Sequence, residues 1–572
     1  MTDSPKDTGM DAAAPAAFNA HKIGNRQMDI TTPTHTRGAD ILWAALRQAG
    51  VTRVFSLSGN HIMPVYDAAY GQGIDIIHVR HEAAAVHMAD AWARLTGECG
   101  VALVTGGQGH TNAVAGLPTA MAGEVPLLLL SGHAPIKELG LGAFQETPQV
   151  EAAAPLVKSA RMARHPQTLG LDVLRAIALA QEGRPGPVHL SLPTDVLEAE
   201  VVPAAAQPQP TPRAMPLAPE AARSLAAMLQ AAERPLLCAG PALNSPEGQQ
   251  ALAALEAKTG LPVLLMESPR GLRDPSLRAA TPLFAEADLI ILLGKALDFT
   301  LGFGRTPPFS PAARWAVLEP DAAILARAAQ GLGERLAFSA ITAPLAGAQA
   351  LAGMASTGHA AWAAQLRAAL DFLPAEWDAL AGAPEGPIHP VTLGHALRPW
   401  LRDGDILVAD GGEIGQWLQA MLRAPAGGAR LVNGVAGAIG AGLPFAIAAS
   451  AARPGQRVLA VMGDGTFGFH MAEFDTALRH GLPFVAVVGN DSCWNAEHQI
   501  QLRDYGTARA HGCELANATR YDLVAVALGG HGEFVQAAAE LAPALERAFA
   551  SGKPACVNVM IKGLPAPVIR AA

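Results

Sequence analysis

Two apolar runs in the last third of the chain, Val458-Leu-Ala-Val-Met and Phe484-Val-Ala-Val-Val, are short enough for strands and are separated by a helical stretch. A strand, a helix and a second strand of these lengths make a parallel pair, because a crossover is needed to run the chain twice in one direction. The first run ends at Gly463-Asp464-Gly465 and the second at Gly489-Asn490-Asp491. Parallel neighbours carry their carboxyl ends side by side, so Asp464 and Asp491, 27 residues apart, are expected at one sheet edge.

The same grammar recurs along the chain. A helix over 41–49 leads to a strand at 54–57, a helix at 83–95, and strands at 101–105 and 127–131. Residues 202–219 carry six prolines and mark a linker. Strands at 235–239, 263–266, 289–293 and 315–318 form a second set. After a Gly-Ala-Pro-Glu-Gly-Pro break come strands at 406–409, 458–462, 484–488 and 557–561. At 572 residues the chain is too long for one core. The expected fold is α/β, with three consecutive doubly wound parallel-sheet domains. The expected divisions are a mobile tail (1–35), a first domain (36–200), a linker (201–219), a central domain (220–350), a helix and linker (351–388) and a C-terminal domain (389–572).

A net charge of −9 leaves no basic stripe for nucleic acid or an anionic membrane surface, and 5% aromatic residues are too few for base stacking. The five cysteines include no Cys-x-x-Cys pair, so neither a disulfide framework nor a zinc site is expected. That cysteine usage and the lack of an apolar leader make the cytoplasm the expected location. The uncharged stretch 431–452 is long enough to test as a membrane span. It contains Gly434, Gly437, Gly440, Gly442 and Pro444, and reads as a buried loop and helix.

Two carboxylates at one edge suit Mg²⁺, which takes few protein oxygens and completes its shell with phosphate and water. Glycines there let the backbone approach a diphosphate, and the following helix start favours its charge. A lone Gly-Asp-Gly would be no more than a capped turn; the second Asp at this spacing points to a site.

This segment resembles the cofactor motif of the thiamine-diphosphate superfamily that includes acetolactate synthase, pyruvate decarboxylase, benzaldehyde lyase and 2-hydroxyacyl-CoA lyase. Asn490-Asp491 stands where the family has Asn-Asn. The resemblance implies a metal held by Asp464, Asp491 and the backbone carbonyl of Cys493. It places Gly463, Gly465, Thr466 and Asn490 around the cofactor. Val79-Arg80-His81-Glu82 is similar to the segment whose glutamate faces the cofactor's pyrimidine, which makes the first domain pyrimidine-binding and the third diphosphate-binding. Ile439, in the Gly-rich run 433–444, matches the residue that bends the cofactor. Asp410-Gly-Gly412-Glu matches a loop whose amides meet the diphosphate. In this family the first domain of one chain faces the third of another, implying at least a homodimer and commonly a homotetramer.

Three further segments bear on the reaction. Glu267 to Leu277 runs almost directly into the strand at 289–293, without the longer flavin stretch of acetolactate synthases, so FAD is not expected. Gly59-Asn60-His61-Ile62 resembles a segment of benzaldehyde lyase-like enzymes and 2-hydroxyacyl-CoA lyases whose histidine would reach the substrate hydroxyl. Gly142-Ala-Phe-Gln145-Glu-Thr-Pro-Gln149 resembles 2-hydroxyacyl-CoA lyases, with Gln145 lining the pocket. The implied reaction is cleavage of a 2-hydroxyacyl-CoA to formyl-CoA plus an aldehyde or ketone, or the reverse condensation. Glu497, 33 residues beyond Asp464, is the expected substrate-facing acid–base residue. Arg161, Arg270 and Arg305 are candidates for the phosphates of coenzyme A. The alternatives are an acetolactate synthase-like or decarboxylating carboligase acting on free 2-oxoacids, and a non-catalytic cofactor-binding subunit.

Overall fold

In the computed structural model, which describes residues 36–202, 210–354, 358–380 and 387–570, the chain builds three α/β domains, each on a parallel sheet. The first sheet runs in the order Asp75–His78, Arg53–Leu57, Gly100–Val104, Leu127–His133, Pro187–Pro193 and Ser159–Met162. The central sheet has Val263–Leu265, Pro235–Ala239, Leu289–Leu293, Arg314–Glu319 and Leu336–Ile341. The third has Ala429–Val432, Ile406–Ala409, Val458–Gly463, Val485–Asn490, Ala555–Met560 and His531–Val535. The proposed tail 1–35 and parts of both proposed linkers (203–209, 355–357 and 381–386) lie outside the described residues.

Strands such as Leu127–His133 and Pro187–Pro193 are buried along their whole length, because helices cover both faces of each sheet. Several strands were not anticipated from the sequence: Ser159–Met162, Pro187–Pro193, Leu336–Ile341, Ala429–Val432 and His531–Val535. Pro187–Pro193 buries His189 and Ser191 among its apolar residues, which breaks the apolar run. Most of the others are outer strands with half-exposed residues and a weak apolar signal.

The helix Glu82–Thr96 organises the contact between the first and third domains. His81 caps it by accepting from the Ala83 amide, and Gly97, at φ 80°, ends it in the left-handed conformation. It packs on the helix Gly442–Ala452, the second half of the uncharged stretch. From Gly442 to Ala451 that helix is buried on every side, which accounts for its lack of charged residues. Among the described residues no helix is long and apolar enough to cross a membrane. Near its C-terminal end the Glu82–Thr96 helix carries the buried Arg94, ion-paired with Asp90 at 2.6 Å and donating to the Val432 carbonyl at 3.1 Å, so two domains share one buried charge pair.

Candidate active site

The strands Val458–Gly463 and Val485–Asn490 pair in register, Gly463 opposite Gly489, and release the chain at the same edge. Asp464, 2% exposed, accepts from the Gly465 amide through Oδ1, while its Oδ2 is buried with no hydrogen-bond partner. Burial pushes the Asp464 carboxyl up to about 6. Asp491 is pushed up to about 7, first by burial and then by the charge of Asp464. An orphaned carboxylate oxygen beside a second strained carboxylate is what a hard-cation site looks like from the protein side. Asp464, Asp491 and Cys493 line one cavity together with Gly412, Ile439, Gly463, Gly465, Thr466, Trp494 and Glu497.

The glycines of that cavity are sterically required. A Cβ on Gly465 would lie 2.7 Å from the Trp494 ring, and Gly412 adopts φ 86° against Gly463. The half-buried Ile439 lines the cavity and is held by its neighbours: a Cβ on Gly411 would come within 2.3 Å of its Cγ2. The loop that presents Ile439 is tied down by Asp410, whose buried carboxylate accepts from the amides of Gly440 at 3.0 Å and Gly442 at 2.6 Å. Burial still pushes Asp410 up to about 6. Asn490 is placed differently from the other motif residues. Its carboxamide is spent inside the protein, donating to Thr519 and Asn558 and accepting from Ser492, so it shapes the loop that carries Asp491.

In the first domain Glu82, 7% exposed, accepts from the Asn112 side chain at 3.0 Å. It is not among the residues lining the cavity of its own chain's third domain. His61 is buried, and its Nε2 donates to the carbonyl of Phe144 at 3.2 Å, with the two rings stacked. The structure thus joins the His61 and Gln145 segments. Because a carbonyl can only accept, the hydrogen sits on Nε2, leaving Nδ1 toward Thr105 Oγ1 at 3.4 Å. Burial lowers the His61 pKa, which favours the neutral ring. Gln145 is half-buried at φ 54° and packs against Gly107.

Glu497 lies in the first turn of the helix Asn495–Tyr505 and lines the cavity, and in a single chain it is exposed. The three arginines fall in different settings. Arg161 is exposed on the outer strand of the first sheet, Arg305 stacks over Phe303, and Arg270 reaches Glu413 at 3.5 Å. Glu413 was not singled out from the sequence. It is 5% exposed, it lines the same cavity, and its Oε2 has no hydrogen-bond partner. Burial raises the Glu413 carboxyl, Arg270 opposes that shift, and the charge of Glu497 adds to it. Glu413 and Asp410 sit on the loop whose backbone amides the resemblance assigns to the diphosphate, so the motif does not mark their side chains.

The residues present therefore fit thiamine diphosphate and a divalent cation: a paired acid edge, a glycine floor, and an aliphatic side chain held over it. The comparisons agree. Models described as thiamine pyrophosphate enzyme N-terminal binding domain, central domain and C-terminal binding domain match residues 36–153, 222–332 and 410–559. The acetolactate synthase large subunit of Mycobacterium tuberculosis is 34% identical, covering 93% of this chain and 97% of its own length. Human 2-hydroxyacyl-CoA lyase 2 is 31% identical over 95% of this chain and 93% of its own. The Caenorhabditis elegans protein of the same name is 32% identical over 90% and 87%. The chain belongs to the thiamine pyrophosphate enzyme family and is a thiamine-diphosphate-dependent carbon–carbon lyase of the 2-hydroxyacyl-CoA lyase and acetolactate synthase type.

Proposed function

We propose that this enzyme cleaves 2-hydroxyacyl-CoA to formyl-CoA and an aldehyde or ketone, or runs the reverse condensation, with Mg²⁺ held by Asp464, Asp491 and the Cys493 carbonyl. The carrying observation is the 3.2 Å contact from His61 to Phe144, because it assembles at one place two segments that separately resemble 2-hydroxyacyl-CoA lyases. Bound thiamine diphosphate would supply the electron sink for the carbanion formed at the broken bond. Glu82, oriented by Asn112, holds a proton at the pyrimidine nitrogen. Glu497 removes or returns the substrate hydroxyl proton, and neutral His61, its Nε2 held by the Phe144 carbonyl, offers Nδ1 to the hydroxyl in place of the 3.4 Å contact with Thr105 Oγ1. Glu82 stands apart from the third-domain cavity of its own chain, which supports a homodimer or homotetramer in which two chains complete each site. The five free cysteines are in keeping with a cytoplasmic protein.

A second reading, an acetolactate synthase-like carboligase acting on free 2-oxoacids, is favoured by the mycobacterial relative, which is at least as similar as the lyases. The test supplies purified protein, thiamine diphosphate and Mg²⁺ with formyl-CoA plus acetone or an aldehyde, and in parallel with pyruvate. The first reading expects a 2-hydroxyacyl-CoA product. Consumption of pyruvate alone would transfer the assignment to the second.

A further inference from the structure

Four carboxylates line the cofactor cavity: Asp464 and Asp491 at the metal edge, and Glu413 and Glu497 beyond it. The metal accounts for the first pair and the hydroxyl proton for Glu497, which leaves Glu413 without a task. Glu413 opens the helix Glu413–Met421, where a helix start favours negative charge. Its Oε2 is buried, lacks a hydrogen bond, and lies 3.5 Å from Arg270 Nη2. Arg270 comes from the central domain, on the segment whose Pro269 closes against Gly437 of the Gly-rich loop, at 3.3 Å from a Cβ built there. Arg270 does not itself line the cavity: it stands behind Glu413, which lines it and shares it with Glu497.

That pairing bears on substrate charge. A free 2-oxoacid carries a carboxylate bonded directly to the reacting carbonyl carbon, and an uncompensated carboxylate of the protein facing that position repels it. A 2-hydroxyacyl thioester is neutral at that position. Specificity is a difference between two affinities, and a like charge placed against the competitor contributes to it as much as a contact to the favoured ligand. We propose that Glu413 is a specificity-determining residue: held by Arg270 and presenting its carboxylate at the cavity, it turns away free 2-oxoacids and admits neutral acyl thioesters. This rests on the lyase reading above and names the feature that would separate it from a 2-oxoacid enzyme. Replacing Glu413 by glutamine would remove the repelling charge from the cavity.

The test uses the holoenzyme and its Glu413→Gln and Glu413→Asp variants. Two quantities are measured: the ratio of kcat/KM for pyruvate to kcat/KM for a 2-hydroxyacyl-CoA, and the calorimetric affinity for oxamate, an unreactive 2-oxoacid isostere. Removal of a like charge should raise both by at least about tenfold in Glu413→Gln. Glu413→Asp, which keeps the charge, should stay near wild type. Oxamate affinity unchanged in Glu413→Gln would overturn the proposal, as would an equal gain in Glu413→Asp, which would point to space rather than charge. Failure of the lyase reading shows separately, as wild-type enzyme inactive on the thioester, and the oxamate measurement still decides the role of Glu413. If Glu413→Gln does not fold, Glu413→Ala carries the same comparison.

Discussion

The carboxylate of Asp464 raises that of Asp491 across two adjacent strands, with burial the larger cause, and the pair reaches about 6 and about 7. Two acids so placed repel one another when both are ionised. The site is therefore strained at neutral pH, a cation between the two would relieve it, and the strain is a measurable quantity.

Both carboxyls lie above their ordinary value of 3.8, so the folded protein holds protons more tightly than the unfolded chain does. Their contribution is intact below pH 4 and is lost as pH rises through about 6 to 7 in metal-free protein. A divalent cation should reverse that loss. Thermal melts with chelator and with Mg²⁺ plus thiamine diphosphate should differ more at pH 8 than at pH 5.5. An equal difference at both pH values would argue that the two aspartates are not the cation ligands.

Glu473 makes a second, independent pH prediction. It is 1% exposed, accepts from Thr476 Oγ1 and the Arg80 amide, and is pushed by burial up to about 7 from 4.5. Its folded value is raised, so stability falls as pH rises through about 7. Glu473→Gln keeps an acceptor without the charge, and should melt higher than wild type at pH 8, by less at pH 5.5, and alike below the unfolded value of 4.5. Parallel melting profiles for the two proteins would remove Glu473 as the cause.

Glu82→Gln should keep the fold and cofactor affinity, since the amide fits the same space beside Asn112. It cannot exchange a proton with the pyrimidine nitrogen, and loss of such a group typically costs about 10²–10⁴-fold in turnover. Steady-state turnover together with calorimetric thiamine diphosphate affinity checks both halves. Near-normal turnover would mean that the proton is held elsewhere.

Glu497→Gln should lower turnover by at least about 10²-fold with cofactor affinity preserved. Activity within a few-fold of wild type would remove Glu497 from the chemistry and pass the role to His61, which His61→Gln would then expose.

Gly411→Ala tests the seat of Ile439. The added Cβ would come within 2.3 Å of Ile439 Cγ2 and 3.0 Å of Thr466 Oγ1, so the isoleucine must move. Overpacking of this kind costs about 1–3 kcal/mol, and here the displacement falls on a cofactor wall. The expected result is a drop in thiamine diphosphate affinity larger than the drop in melting temperature would suggest. A fall in melting temperature alone, with unchanged affinity, would make Ile439 a packing residue.

The sequence by itself determined the kind of sheet and the acid edge. Apolar runs alternating with helices can only stack as covered parallel sheets, and the two runs ending at Asp464 and Asp491 bring those residues together because the side of a parallel strand pair that receives them is set by chain direction. The glycines at 412 and 465 were legible from the segments that carry them, although what each meets, Gly463 and Trp494, lies elsewhere in the chain. What only the tertiary structure decided lies between distant segments. Pro187–Pro193 is a central strand despite His189 and Ser191, because its place between two strands buries polar residues that its own sequence does not mark as core. Asn490 looks like a site residue in sequence, but Thr519 and Asn558 consume its hydrogen bonds. The pairing of Arg270 with Glu413 joins residues 143 positions apart in two domains. Local periodicity carries no information about such a contact; it follows from how the central domain closes on the Gly-rich loop, and so from packing summed over the whole chain.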